Sequence, residues 1–175
     1  MTLSSAANYG ADSSGLICGF QFGSDGLGLP IDAQQALDWM AAVGVSEGFV
    51  WLHFNLARAM TEKWLRENVT MSDAFHDALR EGSRSTRIEL DGDMLVAVVN
   101  DVNYDFAFEP SDISTLWLLV TPRLVVSVRV QPLRSIDRLR DAVKRGVPLR
   151  STVDLLVHLM HDQGDVLVNV VRGTT

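Results

Sequence analysis

Apolar residues along this chain follow two rhythms. LICGFQF at 16–22, FVWLHF at 49–54, LWLLV at 116–120 and LVVSV at 124–128 are short runs, apolar nearly throughout. Runs of that length and composition read as buried strands. Elsewhere apolar positions recur every three or four residues, which marks one face of a helix.

Taken in order, Leu16–Phe22 is a strand, GSDG at 23–26 a turn, and Leu27–Pro30 a short return strand. Asp32 can cap a helix from Ala33 to Val43, with Ala36, Leu37, Met40 and Val43 as its apolar stripe and Gly44 as its stop. Phe49–Phe54 is the next strand. A helix over Thr61–Glu67 turns Trp64 and Leu65 inward. Ser72 caps a further helix over Asp73–Arg80, which Gly82 ends, and Ser83–Thr86 is a polar connector. Thr86–Leu90 and Met94–Val102 flank Asp91-Gly92-Asp93, and Asp-Gly between two apolar runs signals a hairpin. Leu116–Val120 and Leu124–Val130 flank Thr121-Pro122-Arg123. Their nearly unbroken apolar character predicts central strands covered on both faces. Ser135 can cap a helix over Ile136–Lys144. Ser151 or Thr152 can cap a longer one from Val153, carrying Leu155, Leu156, Leu159 and Met160 and continuing through Leu167, Val170 and Val171. About seven strands and five helices in this order predict an α/β (α+β) fold: a three-layer α/β/α sandwich around a mixed sheet.

The chain has 175 residues, enough for one domain with a substantial core. Residues 1–15 are small and polar and read as a flexible tail; 16–175 read as a single domain. No repeat or linker divides it. The chain ends within the last helical pattern, which leads us to expect a continuation into a longer protein. The formal net charge of −7 makes phosphate neutralisation, and so nucleic-acid binding, a poor expectation. A single cysteine, Cys18, excludes an internal disulfide and a cysteine-rich zinc site. No apolar run approaches the roughly 18 residues that a membrane-spanning helix needs. The N-terminus lacks the order of a signal peptide.

Candidate chemistry is sparse. No phosphate loop, dinucleotide fingerprint or nucleophile elbow is present, and no catalytic residue is assigned. His53 lies in an apolar strand, on the face opposite Leu52 and Phe54. His158 and His161, three apart on the last helix, share a face beside Asp154, Asp162 and Asp165 and could gather a cation. His76 reads as a surface residue. Asp91 and Asp93 are explained by the turn. Asp105, Glu109 and Asp112 form an acidic loop patch. Trp39, Trp51, Trp64 and Trp117 occupy apolar-face positions and read as core.

The segment Val50-Trp51-Leu52-His53-Phe54-Asn55, the Trp64-Leu65 helix, the Ala78-Leu79 helix, the Asp91-Gly92-Asp93 hairpin and Leu124-Val125-Val126-Ser127-Val128-Arg129 stand in a distinctive order. That order resembles the cytosolic domain of the CorA-type divalent-metal transporter family, in its ZntB-like zinc branch, from about Leu16 to Val171. The resemblance implies a homopentameric funnel on the cytosolic face of a bacterial inner membrane. It also implies a stalk helix, two membrane helices and a Gly-Met-Asn signature, none of which occurs in these residues. The implied partners are divalent cations, zinc or magnesium, as regulatory or transported ions. In magnesium-type members an acidic residue of a metal-sensing site stands where this chain has His53. Imidazole suits zinc better than magnesium. The resemblance thus makes the chain a non-enzymatic regulatory domain, with His53, His158 and His161 as metal candidates. The alternative is a stand-alone α/β protein or small metal-dependent enzyme built around His158 and His161.

Overall fold

The computed structural model describes residues 12–42, 44, 47–81, 86–102 and 113–161. Several expectations lie outside the described residues: Val43, Gly82, the connector at 83–85, the acidic patch at Asp105, Glu109 and Asp112, and everything from Asp162 onward.

The elements are β1 (Leu16–Phe22), β2 (Gly28–Pro30), α1 (Ala33–Ala41), β3 (Phe49–Asn55), α2 (Ala59–Asn68), α3 (Asp73–Glu81), β4 (Arg87–Asp91), β5 (Met94–Val102), β6 (Ile113–Val120), β7 (Leu124–Arg129) and α4 (Arg134–Lys144). A fifth helix, α5, covers 152–161. The strands form one seven-stranded sheet in the order β2-β1-β3-β7-β6-β5-β4. Only β3 and β7 pair parallel; every other neighbouring pair is antiparallel. The strands with the most continuous apolar sequence, β3, β7 and β6, are central, as a strand buried on both faces must be.

Strand alternation divides the core into two layers. On one face Phe49, Trp51, Ala97, Val99, Leu116, Leu118 and Val125 pack under Leu133, Ile136, Leu139 and Val143 of the α4 region and Leu155 and Leu159 of α5. On the other, Val50, Leu52, Phe54, Val96, Val98, Leu119 and Val126 pack against Ala36 and Trp39 of α1, Leu65 of α2, and Phe75 and Ala78 of α3. This is the three-layer α/β/α sandwich with a mixed seven-stranded sheet that the sequence predicts.

Local signals mostly hold. Asp32 caps α1 in a reciprocal box with Gln35: each side chain accepts from the other's backbone N–H, at 2.8 and 2.9 Å. Ser72 Oγ accepts from Phe75 N at 3.1 Å, and Ser151 Oγ from Asp154 N at 3.0 Å. Asp91 pairs with Met94 across the two-residue turn Gly92–Asp93, where Gly92 takes φ +62°.

Two expectations are corrected. Ser135 does not cap α4: the helix begins at Arg134, two residues earlier than expected, its N-cap is Leu133 with no side-chain cap bond, and Ser135 is buried. Seating Leu133 and Ile136 in the core fixes that start, because burying such side chains contributes about 1.5–3 kcal/mol each against about 1 for a cap. The inner face of α1 is Ala36 and Trp39, with Leu37 and Met40 half-buried. The larger indole takes the core position, and the Arg123 guanidinium lies 4.6 Å over its ring. Just before β1, residues 12–15 form a turn in which Asp12 Oδ1 accepts from Ser14 N and Leu16 N at 2.8 and 3.1 Å.

Candidate functional site

The same alternation that buries Phe49 and Trp51 under α4 puts His53 on that face. Pairing aligns Cys18 of β1, His53 of β3 and Ser127 of β7 in one row across the sheet. Arg129 follows Ser127 two residues on, hence on the same face. The result is a polar row in an otherwise apolar layer, with Asp137, Arg140 and Lys144 of α4 as charged neighbours.

His53 is 1% exposed. Its Nδ1 lies 2.7 Å from Ser127 Oγ, which also accepts the indole N–H of Trp51 at 2.8 Å. A hydroxyl has one proton and two lone pairs. With the indole donating to Ser127, that proton is available for a neutral imidazole. Burial, and then the Arg129 and Arg140 charges, hold the His53 pKa well below its usual value. The ring is therefore neutral, with its Nδ1 held at the Ser127 hydroxyl. Burial above all raises the Cys18 thiol to about 11, against the pull of Arg140, Lys144 and Arg129, so Cys18 is a resting thiol rather than a nucleophile.

Arg129 is 6% exposed, and its Nη1 donates to Val130 O at 3.1 Å. Among the described residues no carboxylate oxygen lies within 4 Å of it. Burial lowers its pKa, with Asp137 acting in the opposite sense. Asp137 instead pairs with Arg140 at 3.8 Å, and both side chains are partly exposed. Burial is the first cause that raises Asp137, and Arg140 opposes it. The Arg140 Nε is buried without an acceptor among the described residues.

This environment makes stability depend on pH. In the unfolded chain His53 titrates near 6.5; in the fold it titrates lower. Below pH 6.5 the unfolded state therefore binds more protons, and stability falls as the pH is lowered. The contribution is complete above 6.5 and is lost as pH drops toward the folded value. We expect the urea midpoint to fall between pH 7.5 and 5.5, with a smaller fall in His53→Gln. Equal slopes in the two chains would show that His53 is not the group responsible.

The other histidines lie elsewhere. His158 is half-buried and His161 exposed on α5. His76 is half-buried on α3, its Nε2 3.4 Å from Arg66 Nη2. Among the described residues no group of three or more His, Cys, Asp or Glu side chains is close enough to hold a metal ion. Trp51 and Trp117 are buried, Trp39 is 9% exposed, and Trp64 is half-buried against Phe54. The sequence reading missed Ser127, Arg129, Asp137 and Arg140. The signal for the first two is the alternation in LVVSVR, where Ser127 and Arg129 share a face with Val125.

Comparison with known proteins fits this architecture. The divalent cation transporter CmaX of Pseudomonas aeruginosa is 26% identical over 164 residues, covering 90% of this chain and 48% of CmaX. The structure of full-length CmaX superposes with a TM-score of 0.80 at 25% identity, over 93% of this chain and 49% of that one. The chain thus spans about half the length of CmaX. The cytoplasmic domain of ZntB from Vibrio parahaemolyticus shares the fold, with a TM-score of 0.69 at 19% identity over 91% of this chain and 63% of its own. A family model described as CorA-like Mg2+ transporter protein matches residues 46–172, from before β3 to beyond α5. On the strength of that match, the chain belongs to the CorA-like Mg2+ transporter family.

Proposed function

We propose that this chain is the cytosolic domain of a divalent-cation transporter, where it gathers and senses ions at the inner face of a bacterial inner membrane. The observation that carries the reading is the similarity to full-length CmaX, a named divalent cation transporter, across 93% of this chain. The formal charge of −7 supports it, because an acidic domain raises the local concentration of cations. No helix among the described residues is long and apolar enough to cross a membrane. Conduction in this reading falls to stalk and membrane helices elsewhere in the intact protein, assembled as a homopentamer. His53 is buried and faces two guanidiniums, so here it serves the sheet rather than binding the ion. The choice between zinc and magnesium then belongs to the conduction path. The alternative of a metal enzyme at His158 and His161 gives way to membership in a transporter family.

The test is ion flux. The intact protein, expressed from its own gene, is reconstituted in liposomes loaded with a magnesium or zinc indicator. We expect entry of at least one of the two ions above protein-free liposomes. Flux of neither, nor of cobalt or nickel in parallel assays, would overturn the reading.

A further inference from the structure

We propose that the polar row beneath α4, at its Arg129 end, binds a small oxyanion, gripped by the guanidiniums of Arg129 and Arg140. The first argument is an imbalance of charge. An arginine as buried as Arg129 ordinarily sits against a carboxylate, because an unpaired charge is expensive to bury. Here its Nη1 donates to a neutral carbonyl, Val130 O, and among the described residues no carboxylate comes within 4 Å. Arg140 adds a second cation with an inward, unbonded Nε. Two planar forks with unused N–H directions suit an oxyanion and repel a metal ion.

The rest of the row is neutral. Cys18 is a protonated thiol, Ser127 a hydroxyl, and His53 a neutral imidazole. The carboxylate that acts on both arginines is Asp137. At 3.8 Å from Arg140 and partly exposed, it is a loose partner that an incoming anion can displace. Asp137 also lines a surface cleft of about 370 Å³ with Arg134, Arg138 and Asp141, so the carboxylate that opposes the two arginines is open to solvent.

Topology adds an independent argument. From adjacent parallel strands, the chain leaves β3 for α2 on one face of the sheet and β7 for α4 on the other. Such divergence opens a crevice at the carboxyl ends of the strands, the usual ligand position in open α/β sheets. Arg129 is the last residue of β7, at that end.

Free phosphate and the phosphate of a nucleotide share this chemistry, and one experiment separates them. Binding of inorganic phosphate, and separately of magnesium-free ATP, is measured by equilibrium dialysis and by thermal melting, with sodium chloride holding ionic strength constant. We expect saturable phosphate binding and a matching rise in melting temperature. Arg140→Gln should weaken binding about tenfold or more. Asp137→Asn, which removes the internal competitor, should tighten it. Arg140 is partly exposed, so R140Q is expected to retain the fold, and circular dichroism checks this. Tighter binding of ATP than of phosphate would assign the oxyanion to a nucleotide; equal or weaker binding would assign it to free phosphate. The proposal is overturned if neither probe binds, or if both folded variants bind phosphate like the parent chain.

Discussion

Trp51→Ala is expected to lower the unfolding free energy by about 3–5 kcal/mol, the range for truncating a buried indole to a methyl. Trp51 is fully buried at the centre of the sheet. Its ring stacks on Phe20 at 5.6 Å between centroids, and its N–H holds the Ser127 hydroxyl that faces His53. Truncation therefore opens a cavity and removes the donor that orients the polar row. Trp51→Phe separates the two effects. It keeps most of the ring but not the N–H, and should cost about 1–3 kcal/mol, mostly from the smaller ring and the lost buried bond. Urea unfolding of the three chains at pH 7.5 measures both losses. If Trp51→Ala cost less than Trp51→Phe, the indole would not be the packing centre described here.

Gly48→Ala is the second large effect. Gly48 precedes β3 with φ +104°, and a Cβ built there would stand 1.9 Å from the backbone oxygen of Phe22. A side chain could rotate away; the carbonyl at the end of β1 cannot move without disturbing the pairing of Phe22 with Phe49. Clash and positive φ together should cost on the order of 2–4 kcal/mol. Gly92→Ala is the control. It also has positive φ, but nothing lies within 4 Å of the added methyl, so its cost should be about 1–2 kcal/mol, the backbone term alone. Thermal melts of both variants decide the matter. Equal losses at the two sites would mean that the close approach of Phe22 to Gly48 does not constrain the sheet.

Much of the fold can be read from local pattern. The β3 run FVWLHF reads as buried because apolar side chains occupy both faces of the strand, and in the fold both faces are covered. The Asp91-Gly92-Asp93 hairpin is legible because its turn needs a residue that adopts positive φ, and only the glycine does so without strain. The start of α4 is not legible. A serine beside a helical pattern signals a cap, yet the burial of Leu133 and Ile136, a tertiary term, moves Ser135 inside the helix.

The site is legible only in part. His53 stands out as a polar residue in an apolar strand. Its meaning depends on Ser127, 74 residues away, and on Arg129 and Arg140, which no local spacing connects to it. Legible in the residues alone are the order of elements, the central place of the most apolar strands, and the resemblance that the family match bears out. Those depend on side-chain periodicity and turn chemistry, which act over a few residues. That the environment of His53 is cationic emerges only from the packed fold. The parallel pairing of β3 with β7 and the packing of α4 bring Arg129 and Arg140 to it, and burial makes their charges count.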